Sequence, residues 1–178
     1  MRASQGVVLI GARGAGKSTV GKSLAARLGL PFHDTDAIVE RETGRSIADL
    51  LADGSFRDRE QAVLHQILGT APAVVAAGGG AVLWDGFRQA AQAWCVVWLD
   101  ADPEVLAQRI RDDLSTRPSL TGERADLEIE AVARARAERY RTAASHRVDT
   151  TGLSPGVVVD RIEKLLRGGD NTEVDNAD

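Results

Sequence analysis

The sequence predicts an α/β sandwich with a mainly parallel sheet. Two observations predict it. Strand and helix signals alternate along the chain, and near its start a strand, a glycine-rich loop and a helix surround Gly11-Ala12-Arg13-Gly14-Ala15-Gly16-Lys17-Ser18-Thr19. The loop fits G-x-x-x-x-G-K-[ST] at every fixed position, and strand before and helix after are the setting in which that pattern means a phosphate cradle. A length of 178 residues suits one domain with ample material for a core.

The elements follow in order. Val7-Val8-Leu9-Ile10 is apolar and β-branched, so the first strand is expected over 6–10. Val20, Leu24 and Leu28 recur every four residues, which predicts a helix over 16–28 that stops at Gly29. Leu30 to His33 is a short second strand ending at Asp34-Thr35-Asp36; helical pattern resumes from Asp36 to Thr43 and stops at Gly44. Ser46, three residues before Asp49, reads as an N-cap opening another helix. Phe56 to Leu68 forms a longer helix with Val63, Leu64 and Ile67 on one side. Ala73 to Ala77 is the third strand, broken by Gly78-Gly79-Gly80, and Trp94 to Leu99 the fourth, closed by Asp100. Pro103 starts a helix that continues to Arg111. Asp112 to Arg124 is polar and holds Pro118 and Gly122, the pattern of a mobile loop or lid. Ala125 to Arg141 is a charged helix, His146 to Asp149 a last strand, and Pro155 opens a final helix to Arg167. Residues 1–167 are thus expected to be one domain. Residues 168–178, acidic and glycine-punctuated, are expected to be a disordered tail.

Composition excludes several classes. The hydrophobic fraction of 43% and charged fraction of 27% are ordinary for a soluble protein. The net charge of −4 comes from the tail, without which 22 basic residues face 22 acidic ones, so a nucleic-acid binder is disfavoured. The longest apolar run, Ala73 to Trp84, is too short and too rich in glycine to span a membrane. Cys95 is the lone cysteine and lies in an apolar run, which predicts a buried thiol and a reducing cytoplasm. The chain enters its first strand within a few residues, so no signal peptide is expected.

Ligands of parallel sheets sit beyond the carboxyl ends of the strands. The phosphate loop, Asp34-Thr35-Asp36 and Gly78-Gly79-Gly80 all follow strands, so all three belong on one rim. In the cradle, glycines let backbone N–H groups approach phosphate oxygens, and the helix beginning near Lys17 points its positive end at the same anion. Lys17 reaches the β- and γ-phosphates and Ser18 offers a hydroxyl to Mg²⁺. The glycine spacing is not that of a dinucleotide fold, which disfavours NAD. Asp34 and Asp36, two apart in extended backbone, point the same way. They serve either Mg²⁺ and a substrate hydroxyl or, in the plainer reading, a helix N-cap. The glycine triplet permits close approach of a ligand or is simply a turn. Arg57 can fork a carboxylate or lie solvated. Arg117, in the polar loop, can neutralise transferring phosphate. Arg134, Arg136, Arg139 and Arg141 share one helix, and pattern alone does not choose among them. Glu60 and the histidines at 33, 65 and 146 lack metal-ligand spacing and read as structural.

These residues together resemble the shikimate kinase family over about residues 6–167. The resemblance rests on the loop Gly11–Ser18, Asp34-Thr35-Asp36, Phe56-Arg57 with Glu60, Gly78-Gly79-Gly80, Arg117-Pro118, and Arg136 before Tyr140. It implies a P-loop fold of the nucleoside-monophosphate-kinase type, with a five-stranded parallel sheet, helices on both sides and a mobile lid over about 112–124. It implies ATP-dependent phosphorylation of the shikimate 3-hydroxyl, within aromatic amino-acid biosynthesis. It further implies Asp36 as the base on the substrate hydroxyls, with Arg57 and Arg136 gripping the carboxylate. Gly78, Gly79 and Gly80 line the pocket, and the last two offer N–H groups. Ser18 and Asp34 serve Mg²⁺, Arg117 the ATP phosphates, and Arg109 stacks on adenine. A cytoplasmic enzyme acting as a monomer is expected. Two segments depart from the family pattern. Ser119 stands in Arg117-Pro118-Ser119-Leu120 where Arg-Pro-Leu-Leu is common, and Arg136-Ala137-Glu138-Arg139-Tyr140 replaces Arg-x-Pro-Leu-Tyr. Glu138 brings negative charge close to Arg136, so Arg139 is the alternative inward arginine and a related acid such as quinate an alternative acceptor. Kinases of gluconate or of a nucleotide would share the cradle but not the pairing of Asp36 with Arg57. A regulatory module that binds ATP without catalysis predicts loss of Lys17, Asp36 or Arg117, and all three are present.

Overall fold

The computed structural model describes residues 6–114 and 125–168. Strands β1 (Val7–Ile10), β2 (Phe32–Asp34), β3 (Val74–Ala76), β4 (Cys95–Asp100) and β5 (His146–Asp149) form one sheet in the order β2-β3-β1-β4-β5. Every pairing is parallel, with Leu9 opposite Ala76 on one side and Val97 on the other. The helices are α1 (Lys17–Leu28), α2 (Thr35–Thr43), α3 (Ile47–Ala52), α4 (Phe56–Leu68), α5 (Phe87–Ala90), α6 (Pro103–Leu114), α7 (Ala125–Ala143) and α8 (Pro155–Leu166).

A central parallel strand is covered on both faces, and β1 shows it: all four of its residues are buried. Alternate side chains enter opposite layers. Val8, Ile10, Val75, Val96 and Trp98 pack with α2, α3, α4 and Tyr140 of α7. Val7, Leu9, Val74, Cys95 and Val97 pack with Val20 and Leu24 of α1, Leu106 of α6 and Val159 of α8. Burial pushes the Cys95 thiol up to about 11. No described helix is long and apolar enough to cross a membrane.

Three differences from the sequence reading bear on the site and its surroundings. Helix α6 runs through Leu114, so the first residues of the predicted polar loop are helical; the rest of that loop, Arg117 included, lies outside the described residues, as does the predicted tail from residue 169. Helix α2 begins at Thr35 because Asp34 caps it, its side chain accepting from the Ala37 N–H at 3.3 Å. A 3-10 turn over Ala81–Leu83 and the short α5 occupy a stretch where no helix was expected, since four residues are too few to display a period of 3.6.

Candidate active site

The rim at the carboxyl ends of β1, β2 and β3 collects the predicted residues. Beyond β1 the chain turns through Gly11, Gly14 and Gly16 at φ of 142°, 82° and 87°, which side chains rarely adopt. Gly11 also has no room for a Cβ, which would overlap the Leu99 carbonyl. The turn delivers Lys17 to the first position of α1. Its Nζ donates to the Gly11 and Ala12 carbonyls at 2.8 and 2.9 Å. Burial pulls the lysine pKa down, against the opposing charges of Asp36, Asp34 and Glu60. Arg13 is half-buried, and Ala15 is packed into the loop's underside. Thr19 is exposed on α1.

Asp34 does two jobs at once. One oxygen caps α2; the other accepts from Ser18 Oγ at 2.6 Å, joining the end of β2 to the cradle. The cap is therefore realised, and the same side chain also meets the cradle hydroxyl. Among the described residues no three ligating side chains cluster as a metal site. The hydroxyl–carboxylate pair suits Mg²⁺ all the same, because that ion is commonly held by one or two protein oxygens with phosphates and water completing its shell.

Thr35 is fully buried and ties β2 to the glycine triplet: its Oγ1 accepts from the Gly78 N–H at 2.9 Å and faces the Ala76 carbonyl at 3.4 Å. The next residue, Asp36, turns toward Gly78. Its Oδ1 and the Oε1 of Glu60 are buried, and neither has a hydrogen-bond partner among the described residues. Both press on the Gly78 α-carbon, where any Cβ would overlap them. Burial first, and the Glu60 charge second, push the Asp36 carboxyl up to about 6, with Lys17 acting against them.

Glu60 is only 2% exposed. Its other oxygen accepts from Arg57 Nη1 at 2.6 Å, and the Arg57 guanidinium lies over the Phe56 ring at 5.1 Å and against Gly80. The Arg57 side chain remains 42% exposed, so it can meet a ligand. Glu60 was read as structural from the sequence. The signal that marks it is its place at 60 in the stripe 60, 63, 64, 67, which puts a carboxylate on the apolar face of α4.

From the opposite wall, α7 sends Arg136 Nη1 and the Tyr140 hydroxyl to one acceptor, the Gly79 carbonyl, at 2.9 and 2.7 Å. Arg139 goes elsewhere, donating to the Val82 carbonyl and pairing with Asp85, both at 3.4 Å. Glu138 is exposed and paired with Arg141 at 2.6 Å, so its charge is matched away from the triplet. Arg109 braces the cradle: it donates to the Gly14 carbonyl at 3.4 Å, to Thr150 Oγ1 at 3.1 Å and to the Thr150 carbonyl at 2.8 Å. Thr150, buried at the end of β5, carried no signal in the sequence reading. The assembled surface has a phosphate cradle on one side, a buried carboxylate in the middle and two arginines beyond it. That is the equipment to move a phosphoryl group onto a hydroxyl of an acid.

Comparison with known proteins agrees. The family model described as shikimate kinase matches residues 13–167. The chain is 42% identical over 155 residues to a shikimate kinase of Rhodopirellula baltica, covering 83% of this chain and 82% of that protein. It is 42% identical over 170 residues to a shikimate kinase of Symbiobacterium thermophilum, covering 92% and 98%. Among solved structures, the shikimate kinase of Acinetobacter baumannii in complex with shikimate superposes with a TM-score of 0.85 at 31% identity, covering 93% of this chain and 94% of that one.

Proposed function

The chain belongs to the shikimate kinase family, and from that premise we propose how its residues divide the work of phosphorylating the 3-hydroxyl of shikimate with ATP. The enzyme transfers the terminal phosphoryl group of ATP to shikimate, giving shikimate 3-phosphate and ADP, a step of the shikimate pathway. The observation that carries the assignment of roles is Asp36: a buried carboxylate oxygen, unpartnered among the described residues, set between the opposing charges of Glu60 and the cradle Lys17.

In this reading the N–H groups of Gly11 to Thr19 and the end of α1 hold the ATP phosphates. Lys17 leaves the Gly11 and Ala12 carbonyls to meet the β- and γ-phosphates. Ser18 and, through water, Asp34 would hold Mg²⁺, which would supply positive charge to the phosphates. Arg109, its edge fixed by Gly14 and Thr150, presents its plane to adenine. Asp36 accepts the proton of the attacking hydroxyl as its oxygen bonds to phosphorus and the bond to ADP breaks. Arg57 and Arg136 hold the carboxylate, with Gly79 and Gly80 N–H groups beside them. Arg117 adds positive charge at the phosphates, a role that rests on its place in the sequence. Residues 1–167 act as one domain, as a monomer in the cytoplasm. The lone cysteine, buried, suits that reducing compartment.

The acid-binding role is tested at Arg57. Replacing it by alanine would leave Glu60 buried and unpaired, so Arg57→Lys is the cleaner variant: it keeps the charge and loses the fork. The expected result is a shikimate KM raised about thirtyfold with the ATP KM within about twofold. Equal rises in both constants would refute the carboxylate role.

The metal reading makes a separate prediction. EDTA abolishes ADP release and added Mg²⁺ restores it, and in Ser18→Ala the Mg²⁺ concentration for half-maximal rate rises about tenfold. An unchanged Mg²⁺ requirement in that variant removes Ser18 from the site.

A further inference from the structure

Tyr140 has a place in the site that burial alone does not explain. It is 2% exposed, and its ring stacks on Trp98 of β4 with centroids 5.8 Å apart and planes 26° apart. A buried tyrosine hydroxyl ordinarily finds some acceptor. Here the acceptor is the Gly79 carbonyl, 61 residues away in sequence and in the middle of the triplet. The same oxygen takes Arg136 Nη1, so both lone pairs are engaged.

The peptide joining Gly79 to Gly80 is a rigid plane whose N–H points opposite to its carbonyl. Among the described residues nothing accepts the Gly80 N–H, and the Gly80 α-carbon abuts the Arg57 guanidinium. One peptide thus touches both arginines: Arg136 through its oxygen, Arg57 at its next α-carbon. An arginine that turns to meet a carboxylate gives up part of its hold on the Gly79 oxygen. The tyrosine hydroxyl does not compete for that carboxylate, because it already donates its one proton to Gly79, and burial raises its pKa so that it keeps the proton. The carbonyl is then never left without a partner, a state that would cost more than the bond itself contributes.

We infer that Tyr140 is a positioning residue of the acceptor site: its hydroxyl fixes the Gly79–Gly80 peptide, and so keeps the Gly80 N–H and Arg136 aligned for the acid. The inference rests on the reading that Arg57 and Arg136 hold the shikimate carboxylate.

Tyr140→Phe is the test, since it removes one oxygen and keeps the ring on Trp98. The shikimate KM, and the shikimate Kd measured by calorimetry without ATP, are expected to rise about five- to tenfold, with ATP KM and Tm unchanged. In an Arg136→Ala background the same substitution is still expected to raise the shikimate KM, since the Gly80 N–H then depends on the tyrosine alone, but the two effects are expected not to add, because both side chains act on one oxygen. A lower Tm with the shikimate KM and Kd unmoved would overturn the inference and leave Tyr140 a packing residue. If Arg57→Lys and Arg136→Ala raise the shikimate KM while Tyr140→Phe does not, the tyrosine role alone fails. If neither arginine variant raises it, the acid-site reading fails and the inference with it.

Discussion

Lys17→Ala loses at least about a thousandfold in kcat while its fold persists. In the proposed role the side chain supplies a mobile positive charge beside the phosphates as the bond to ADP breaks. The fold survives for a reason visible at the same residue. Lys17 donates to two carbonyls of its own loop, at 2.8 and 2.9 Å, and among the described residues hydrogen-bonds no other element. Its charge is disfavoured by burial, which the surrounding acids only partly offset. Losing two hydrogen bonds and losing a desolvated charge have opposite signs, so the change in stability is expected to stay within about 1–2 kcal/mol. Coupled ADP release and thermal melting measure the two quantities. A variant turning over at the parent rate would remove Lys17 from the cradle.

Asp36→Asn gives the opposite pairing of effects: turnover falls about a hundred- to ten-thousandfold, and the fold becomes more stable at neutral pH. Asparagine cannot accept the hydroxyl proton. The stability follows from linkage. The Asp36 carboxyl titrates at about 6 in the fold against 3.8 as an ordinary aspartate. Below the lower value the group is protonated folded or unfolded and costs nothing. As pH rises through the interval the unfolded chain ionises first, and above the upper value the full penalty holds, up to about 3 kcal/mol. The amide is neutral throughout. The variant should therefore melt higher than the parent at pH 7–8, with the advantage fading below about pH 4. The parent's own kcat/KM should fall on the acid side of about pH 6, where the free enzyme's carboxyl is protonated. A melting difference independent of pH would show that Asp36 is not held against its charge.

The cradle was legible because its information is local: glycine positions and one lysine fix a backbone shape within nine residues. The strand ends were legible for a like reason, since Asp34 and the triplet sit where apolar runs stop. What pattern could not give depends on distant partners. Glu60 read as structural, and its place against Arg57 and Gly78 shows only in the fold. Arg136 and Arg139 are three apart on one helix, and periodicity leaves them neighbours. Their separation comes from the axial position of α7, which sets one beside Gly79 and the other beside Val82 and Asp85. The order β2-β3-β1-β4-β5 is likewise a property of crossovers, and no single segment encodes it.

Gly78 and Gly80 are the two crowded positions of the triplet wall of the pocket. A methyl group at either position meets Glu60 and Asp36, or Arg57, before it meets a ligand. At Gly79 the nearest atoms stand at 3.6 Å or beyond, an ordinary contact. Drift in acceptor preference among descendants of this protein is thereby channelled: mutations at 78 or 80 disturb Asp36, Glu60 or Arg57 whatever the acceptor, whereas those on α2, α4 and α7 reshape the cavity one side chain at a time. A lineage that acquires a new acid should carry its changes on those helices and keep glycine at 78 and 80.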